Sequence, residues 1–121
     1  MNIEIIENEG VQIAKLSSDQ VEIRNAQDAI EILMNCLYKG AENIIVAKEN
    51  LTPDFFELKT KVAGEILQKF STYDSKIAIV GDFNNIKSKS LKDFIFESNK
   101  LGQVNFVGSV EEGIEKLTSK S

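Results

Sequence analysis

The chain has no histidine and no tryptophan, and one cysteine, one proline and one arginine among its 121 residues. Each shortage removes a class of chemistry. Without histidine there is no Ser-His-Asp or Cys-His catalytic set and no histidine-ligated zinc or haem. The lone Cys36 can form neither an internal disulfide nor a thiolate metal cluster, so no metal site or cofactor is expected. A reducing, cytoplasmic setting is the simple reading. Apolar runs reach only a few residues, far short of the about 20 that a membrane-spanning helix needs. The first ten residues, MNIEIIENEG, carry acids and no basic group, which argues against a secretory signal.

Basic charge is scarce in the first half. Residues 1–60 hold 5 Lys and Arg against 11 Asp and Glu, a net of −6, and residues 61–121 hold 9 against 8, a net of +1; together they give −5. An acidic chain with one arginine makes a poor partner for nucleic acid, where phosphate neutralisation dominates affinity. What remains is carboxylate, lysine, hydroxyl and backbone chemistry.

What is present describes an ordinary soluble domain. Hydrophobic residues make up 42% and charged residues 27%, the balance of a globular protein that buries its own core. No linker or repeat divides residues 1–121, so one domain is expected, with the polar end KLTSKS (residues 116–121) fraying.

The strand signals come first. NIEII and VQIAKL (residues 2–6 and 11–16) flank a polar connection with glycine and read as a β-hairpin. VEI at 21–23 could add an edge strand. NIIVA (43–47), KIAIV (76–80) and VNFV (104–107) are continuous apolar runs, which suit strands covered on both faces. They recur about every 30 residues with helical pattern between them, which argues for parallel strands joined by right-handed crossovers. The expected fold is a single α/β sandwich, β-β-α-β-α-β-α-β-α, with a mostly parallel sheet of four to five strands and an N-terminal hairpin.

Caps mark the helices. Asn25 starts the first, Ala26, Ala29, Ile30, Leu33 and Leu37 keep its spacing, and Gly40 is placed to end it in the left-handed conformation. Cys36 falls inside it and reads as buried core. The second helix is expected from LTPDFFELKTKVAGEILQKF. Thr52 is its N-cap, Pro53 its first residue, and Phe55, Leu58, Val62, Ile66 and Phe70 form its apolar stripe. Ser90, with Asp93 three residues on, is the expected start of the third helix, and Ser109 with Glu112 that of the last.

Two residues stand out on the second helix. Lys59 falls within the apolar arc, either snorkelling or aimed at an anion or carboxylate in a cleft. Gly64 costs about 1 kcal/mol against alanine in mid-helix. With Thr60 and Gln68 it forms a strip away from the core, suited to a protein partner or to self-association as a homodimer, unless it is a tolerated surface glycine.

GDFNNIKS (81–88) has a phosphate-loop outline, with Gly81, Lys87 and Ser88 correctly spaced. Ile86 stands where the second glycine belongs, and its β-branched side chain disfavours the positive φ often needed there. The stretch therefore reads as a turn leaving a central strand. In open parallel sheets ligands sit beyond the carboxyl ends of the strands. That edge would gather Glu49, Asn50 and Thr52 from one loop, Asp82, Asn84 and Asn85 from the next, and Ser109 from the last. Asp82 is the best functional carboxylate, its plain alternative being a turn former that bonds its own backbone.

The stretches DFFELKTKVAGEILQKF, KIAIVGDF and SKSLKDFIFESNK resemble a family of small bacterial proteins, domain of unknown function 4180, and the likeness runs from MNIEII to GIEKL. It implies that the strongest motifs are Phe55, Phe56, Leu58, Thr60, Gly64 and Glu65, then Gly81, Asp82 and Phe83, then Ser88, Ser90, Phe94 and Glu97. It implies no activity. The element order also resembles the STAS domains of anti-sigma-factor antagonists, small α/β regulators. In that family a serine in an Asp-Ser-Ser/Thr-Gly pattern starts the helix after the corresponding strand, and its phosphorylation controls partner binding. Here the junction reads KENLTPDFF, with Thr52 in the nearest place and the pattern itself missing. Two functions follow as expectations. One is a non-enzymatic regulatory or interaction module of STAS-like type. The other is a small-ligand or anion binder, or a small enzyme, with Asp82, Lys59 and Thr52 foremost at the strand edge.

Overall fold

The computed structural model describes residues 1–118. Asn2–Asn8 (β1) and Val11–Ser17 (β2) form the hairpin, residue opposite residue along its whole length. Its loop, Glu9-Gly10, has φ of +52° and +83°, the two positive values that a two-residue turn needs to match strand twist. Ala26–Tyr38 (α1) leads to Asn43–Ala47 (β3), Val62–Thr72 (α2) to Ile77–Val80 (β4), and Lys89–Leu101 (α3) to Val104–Val107 (β5). Val110–Thr118 (α4) follows. The five strands lie in chain order in one sheet, antiparallel between β1 and β2 and parallel from β2 to β5.

Alternation along the strands sorts the core onto two faces. Ala14, Leu16, Ile44, Val46, Ile77, Ile79, Val104 and Phe106 point to one side, where α1, α2 and α3 cover them with Leu33, Ile66, Phe70 and Phe94 among others. Sequential parallel strands with crossovers of one hand place their helices on one face, as found. Ile13, Ile45, Ala78 and Val107 point to the other side, which α4 covers with Leu117 and Ile114. Gly113 lets α4 come close: a Cβ there would lie 3.3 Å from the Ala78 Cβ.

Caps Asn25, Gly40 and Ser109 are where the sequence puts them. Asn25 Oδ1 accepts from the Asp28 N–H at 2.9 Å, Gly40 has φ +91°, and Ser109 Oγ accepts from the Glu112 N–H at 3.1 Å. The start of α3 differs: Ser88, not Ser90, is the cap, its Oγ accepting from the Leu91 N–H at 3.2 Å. Ile23 makes an isolated bridge to Leu51 rather than a strand. The chain end is ordered further than its polarity suggests. Here α4 runs through Thr118, whose hydroxyl accepts from Asn8 Nδ2 at 3.0 Å, while residues 119–121 lie outside the described residues.

The expected second helix is the main correction. Residues 53–60 form two 3₁₀ turns, Pro53–Phe56 and Leu58–Thr60, after another at Lys48–Asn50, and α2 begins at Val62. Glu57 is extended (φ −103°, ψ 91°) and Lys61 is left-handed (φ +66°), so no continuous helix passes through them. The Thr60 hydroxyl donates toward the Asp54 and Glu57 carbonyls, both at 2.8 Å, offering the backbone an alternative to the α-helical ladder. The apolar stripe survives the change, with Phe55, Ile66 and Phe70 buried and Leu58 and Val62 half-buried.

The two sheet edges are finished differently. On β5 the Asn99 side chain accepts from the Phe106 N–H at 2.7 Å and donates to its carbonyl at 3.4 Å, standing in for a neighbouring strand. No strand or side-chain clamp of that kind lies along the outer side of β1 among the described residues.

Candidate functional site

The loops that follow β2, β3, β4 and β5 open on the carboxyl edge of the sheet. Those after β2 and β4 are eight residues each and that after β5 is two. The connection from β3 to α2 is longer: it runs from Lys48 to Lys61, the fourteen residues between Ala47 and Val62, where such connections usually take about 2–6.

Asn50 shapes this connection. It is 1% exposed; its Oδ1 accepts from the Ala47 N–H at 3.1 Å, and its Nδ2 donates to the carbonyls of Ser18 and Gln20 at 3.0 and 2.9 Å. Its own carbonyl takes the N–H groups of Glu22 and Ile23, and the Thr52 N–H bonds the Ile23 carbonyl at 3.0 Å. The loop after β2 is thereby stitched to the loop after β3. Asn50, a ligand candidate by sequence, is withdrawn from the surface to hold two loops together.

The stitched loops frame an apolar hollow of about 280 Å³ lined by Val21, Lys48, Glu49, Leu51, Pro53 and Phe56. The Lys48 ammonium sits at its rim, 5.5 Å from the ring centres of both Phe56 and Phe83, within cation–π range. Gly81 makes room for that lysine, since a Cβ there would lie 2.9 Å from the Lys48 Cβ. Behind the pair, ring contacts run Phe56 to Phe83 to Phe106 to Phe94, with centroids 5.2–6.3 Å apart, and tie the rim to the core.

Sequence reasoning missed the Lys48–Phe56–Phe83 group. Lys48 and Phe56 stand at opposite ends of two turns of one loop and Phe83 on another, and no spacing along the chain joins the three. The available signals were Phe56, Gly81 and Phe83 among the motifs of the family resemblance, and Gly81 at a strand end, where a glycine marks close approach.

The other candidates are placed as follows. Asp82 is exposed and its Oδ1 accepts from the Asn84 N–H at 3.0 Å, a turn closed on its own backbone; Asn84 and Asn85 are exposed beside it. Thr52 Oγ1 caps its 3₁₀ turn, accepting from the Asp54 N–H at 3.4 Å. Lys59 is exposed in the turn Leu58–Thr60, not set in an apolar arc. Ser109 serves α4 as its cap. Among the described residues, no hydrogen bond links the side chains of Lys59, Thr52 or Ser109 to Asp82. The Gly81 N–H bonds the Val107 carbonyl at 2.9 Å, so it is spent within the sheet rather than offered to a phosphate.

Of the strip on the second helix, Gly64 and Gln68 share an exposed flank of α2, and a Cβ on Gly64 meets nothing within 4 Å. Thr60 lies just ahead of the helix start, exposed, with its hydroxyl used in the turn. Cys36 is 1% exposed within α1, and burial pushes its thiol up to about 11, far from nucleophilic range. Among the described residues no three acids or thiols gather to hold a metal ion. No helix among them is long and apolar enough to cross a membrane. The arrangement can grip an apolar group and present one ammonium and one carboxylate, Lys48 and Glu49, beside it.

Fold and site together define a small α/β domain of consecutive strand–helix units whose longest loop borders an apolar hollow. The model of a known family, Domain of unknown function (DUF4180), matches residues 8–117, and the chain belongs to that family. A search of curated proteins finds no match.

Proposed function

We propose that the domain is a non-enzymatic regulatory or protein-interaction module of STAS-like type, working in the cytoplasm, with a partner protein docking on the β3–α2 connection and the exposed flank of α2. The observation that carries this reading is the fourteen-residue connection itself. Long ordered loops on a rigid scaffold are where binding surfaces are built, and this one is held in shape by a buried asparagine and opens on an apolar hollow. Gly64 adds a flank on which another backbone can approach closely. The element order and the placement of three crossover helices on one face support the likeness to STAS domains in architecture, which by itself carries no function.

The test is retention of partner protein from a lysate by the full chain and by two rim variants, Gly64→Arg and Val21→Asp. Both sites are exposed, so both variants should fold. Each should lose a discrete retained protein while the thermal midpoint does not fall. Unchanged retention by both would remove the proposal.

A second reading has one observation in its favour: the Lys48 ammonium, fixed between two rings at the rim of an apolar hollow, suits a small amphipathic carboxylate. A thermal shift with such a ligand that Lys48→Met abolishes would favour it over protein docking.

A further inference from the structure

A sheet edge is a row of unpaired N–H and C=O groups, and proteins close or blunt such edges. Here the β5 edge is four residues long and closed at Phe106 by Asn99. The β1 edge is seven residues long, with no proline, no lysine and no bulge, and its pairing to β2 is continuous. Ile5, at its midpoint, is 38% exposed, and Met1 at its head is 60% exposed.

The strand is also complementary to itself. Antiparallel pairing about Ile5 sets Asn2 opposite Asn8, Ile3 opposite Glu7, Glu4 opposite Ile6, and Ile5 opposite its own copy. No acid then faces an acid, and Glu4 already has Lys15 opposite it within its own hairpin. A two-fold axis normal to the sheet keeps like faces together, so the competing registers are centred on Glu4 or Ile6. Either leaves two residues of the strand unpaired, and the first sets Glu4 against Glu4. In the full register Ile5 is paired with Ala14 on its inner side, so an apolar row Ala14–Ile5–Ile5–Ala14 continues across the axis on the face of the three helices.

We infer that β1 is a dimerisation strand, joining the sheets of two copies of this chain into one of ten strands about Ile5. The contact is isologous and uses both β1 edges, and Asn99 blocks each short β5 edge at Phe106 against further growth. It is independent of partner docking on α2, which lies elsewhere on the molecule.

The experiment is light scattering of the full chain across concentration, with Ile5→Lys and Gly64→Arg in parallel. The expected mass is twice the 13.5 kDa of the chain. Ile5→Lys sets two ammonium groups on the axis and should weaken the dimer by about tenfold or more, with the circular dichroism unchanged. Gly64→Arg should leave the dimer intact. Mild oxidation of Ile5→Cys should give a covalent dimer, and Gln12→Cys, exposed on β2, should not. A single 13.5 kDa mass up to about 100 μM would overturn the inference. So would a dimer that survives Ile5→Lys, or open-ended association.

Discussion

Two glycines sit inside helices, and the structure predicts opposite outcomes for the same substitution at each. Replacing a mid-helix glycine by alanine gains about 1 kcal/mol from backbone entropy alone. Gly64 is the third residue of α2, in its first turn, and a Cβ there meets nothing within 4 Å, so Gly64→Ala should realise part of that gain, about 0.5 kcal/mol. On a domain of this size that raises the thermal midpoint by about 2 °C. At Gly113 the added Cβ lies 3.3 Å from the Ala78 Cβ and 3.6 Å from both Ile45 Cδ1 and Val107 Cγ2. Ala78 is a central strand residue and has no flexible side chain to move aside. Forced contacts of this kind cost about 1–3 kcal/mol, enough to cancel the propensity gain or exceed it. Gly113→Ala should therefore be neutral to destabilising by up to about 2 kcal/mol. Gly113→Leu should cost about 3 kcal/mol or more, because α4 must lift from Ile13, Ile45, Ala78 and Val107. Urea unfolding of the three variants measures the differences directly. If Gly113→Ala gained as much as Gly64→Ala, α4 would not lie on the sheet as described.

Four further outcomes follow from named contacts. Asn50→Ala should cost about 2–4 kcal/mol in urea unfolding, since it strands the Ala47 N–H and the Ser18 and Gln20 carbonyls in a buried loop junction. Gly81→Ala should displace the Lys48 stem and destabilise by about 1–3 kcal/mol, with Lys48→Met on the same background recovering little. Cys36 should resist a thiol reagent at pH 8 in the folded protein and react on unfolding, because burial raises its thiol to about 11. The hydrogen bond from Arg24, at 2.8 Å, holds the Asp28 carboxyl below its ordinary value. Its contribution is complete above about pH 4 and is lost as pH falls through the depressed folded value, so acid titration of Arg24→Ala should show less loss there than the parent.

Much of this fold could be read from the chain because its signals are local. NIIVA and VNFV coincide with β3 and β5, and the caps at Asn25, Gly40 and Ser109 need only a few neighbouring residues to act. The segment 53–60 was misread for the same reason. Its apolar spacing fits an α-helix, and the burial of Phe55, Ile66 and Phe70 follows that spacing in either conformation. What breaks the helix, the Thr60 hydroxyl bonded six residues back and a left-handed Lys61, leaves no mark in hydrophobic period. The shift of the α3 cap from Ser90 to Ser88 reflects two equally good serines two residues apart. The site was least legible. The carboxyl edge was the right place to look for converging loops, yet its best-held groups are Lys48, Phe56 and Phe83, which meet only through tertiary structure. Polar residues chosen by type proved to be turn formers or caps, as Asp82 and Ser109 are.

Docking on the β3–α2 connection is tested most directly by a photo-crosslinking residue placed at Gln68, on the exposed flank of α2, and in parallel at Glu97, exposed on α3. With the full chain in a lysate of its own source, one discrete protein adduct is expected from position 68 and none from position 97. Equal labelling from both positions, or none from either, would contradict docking there.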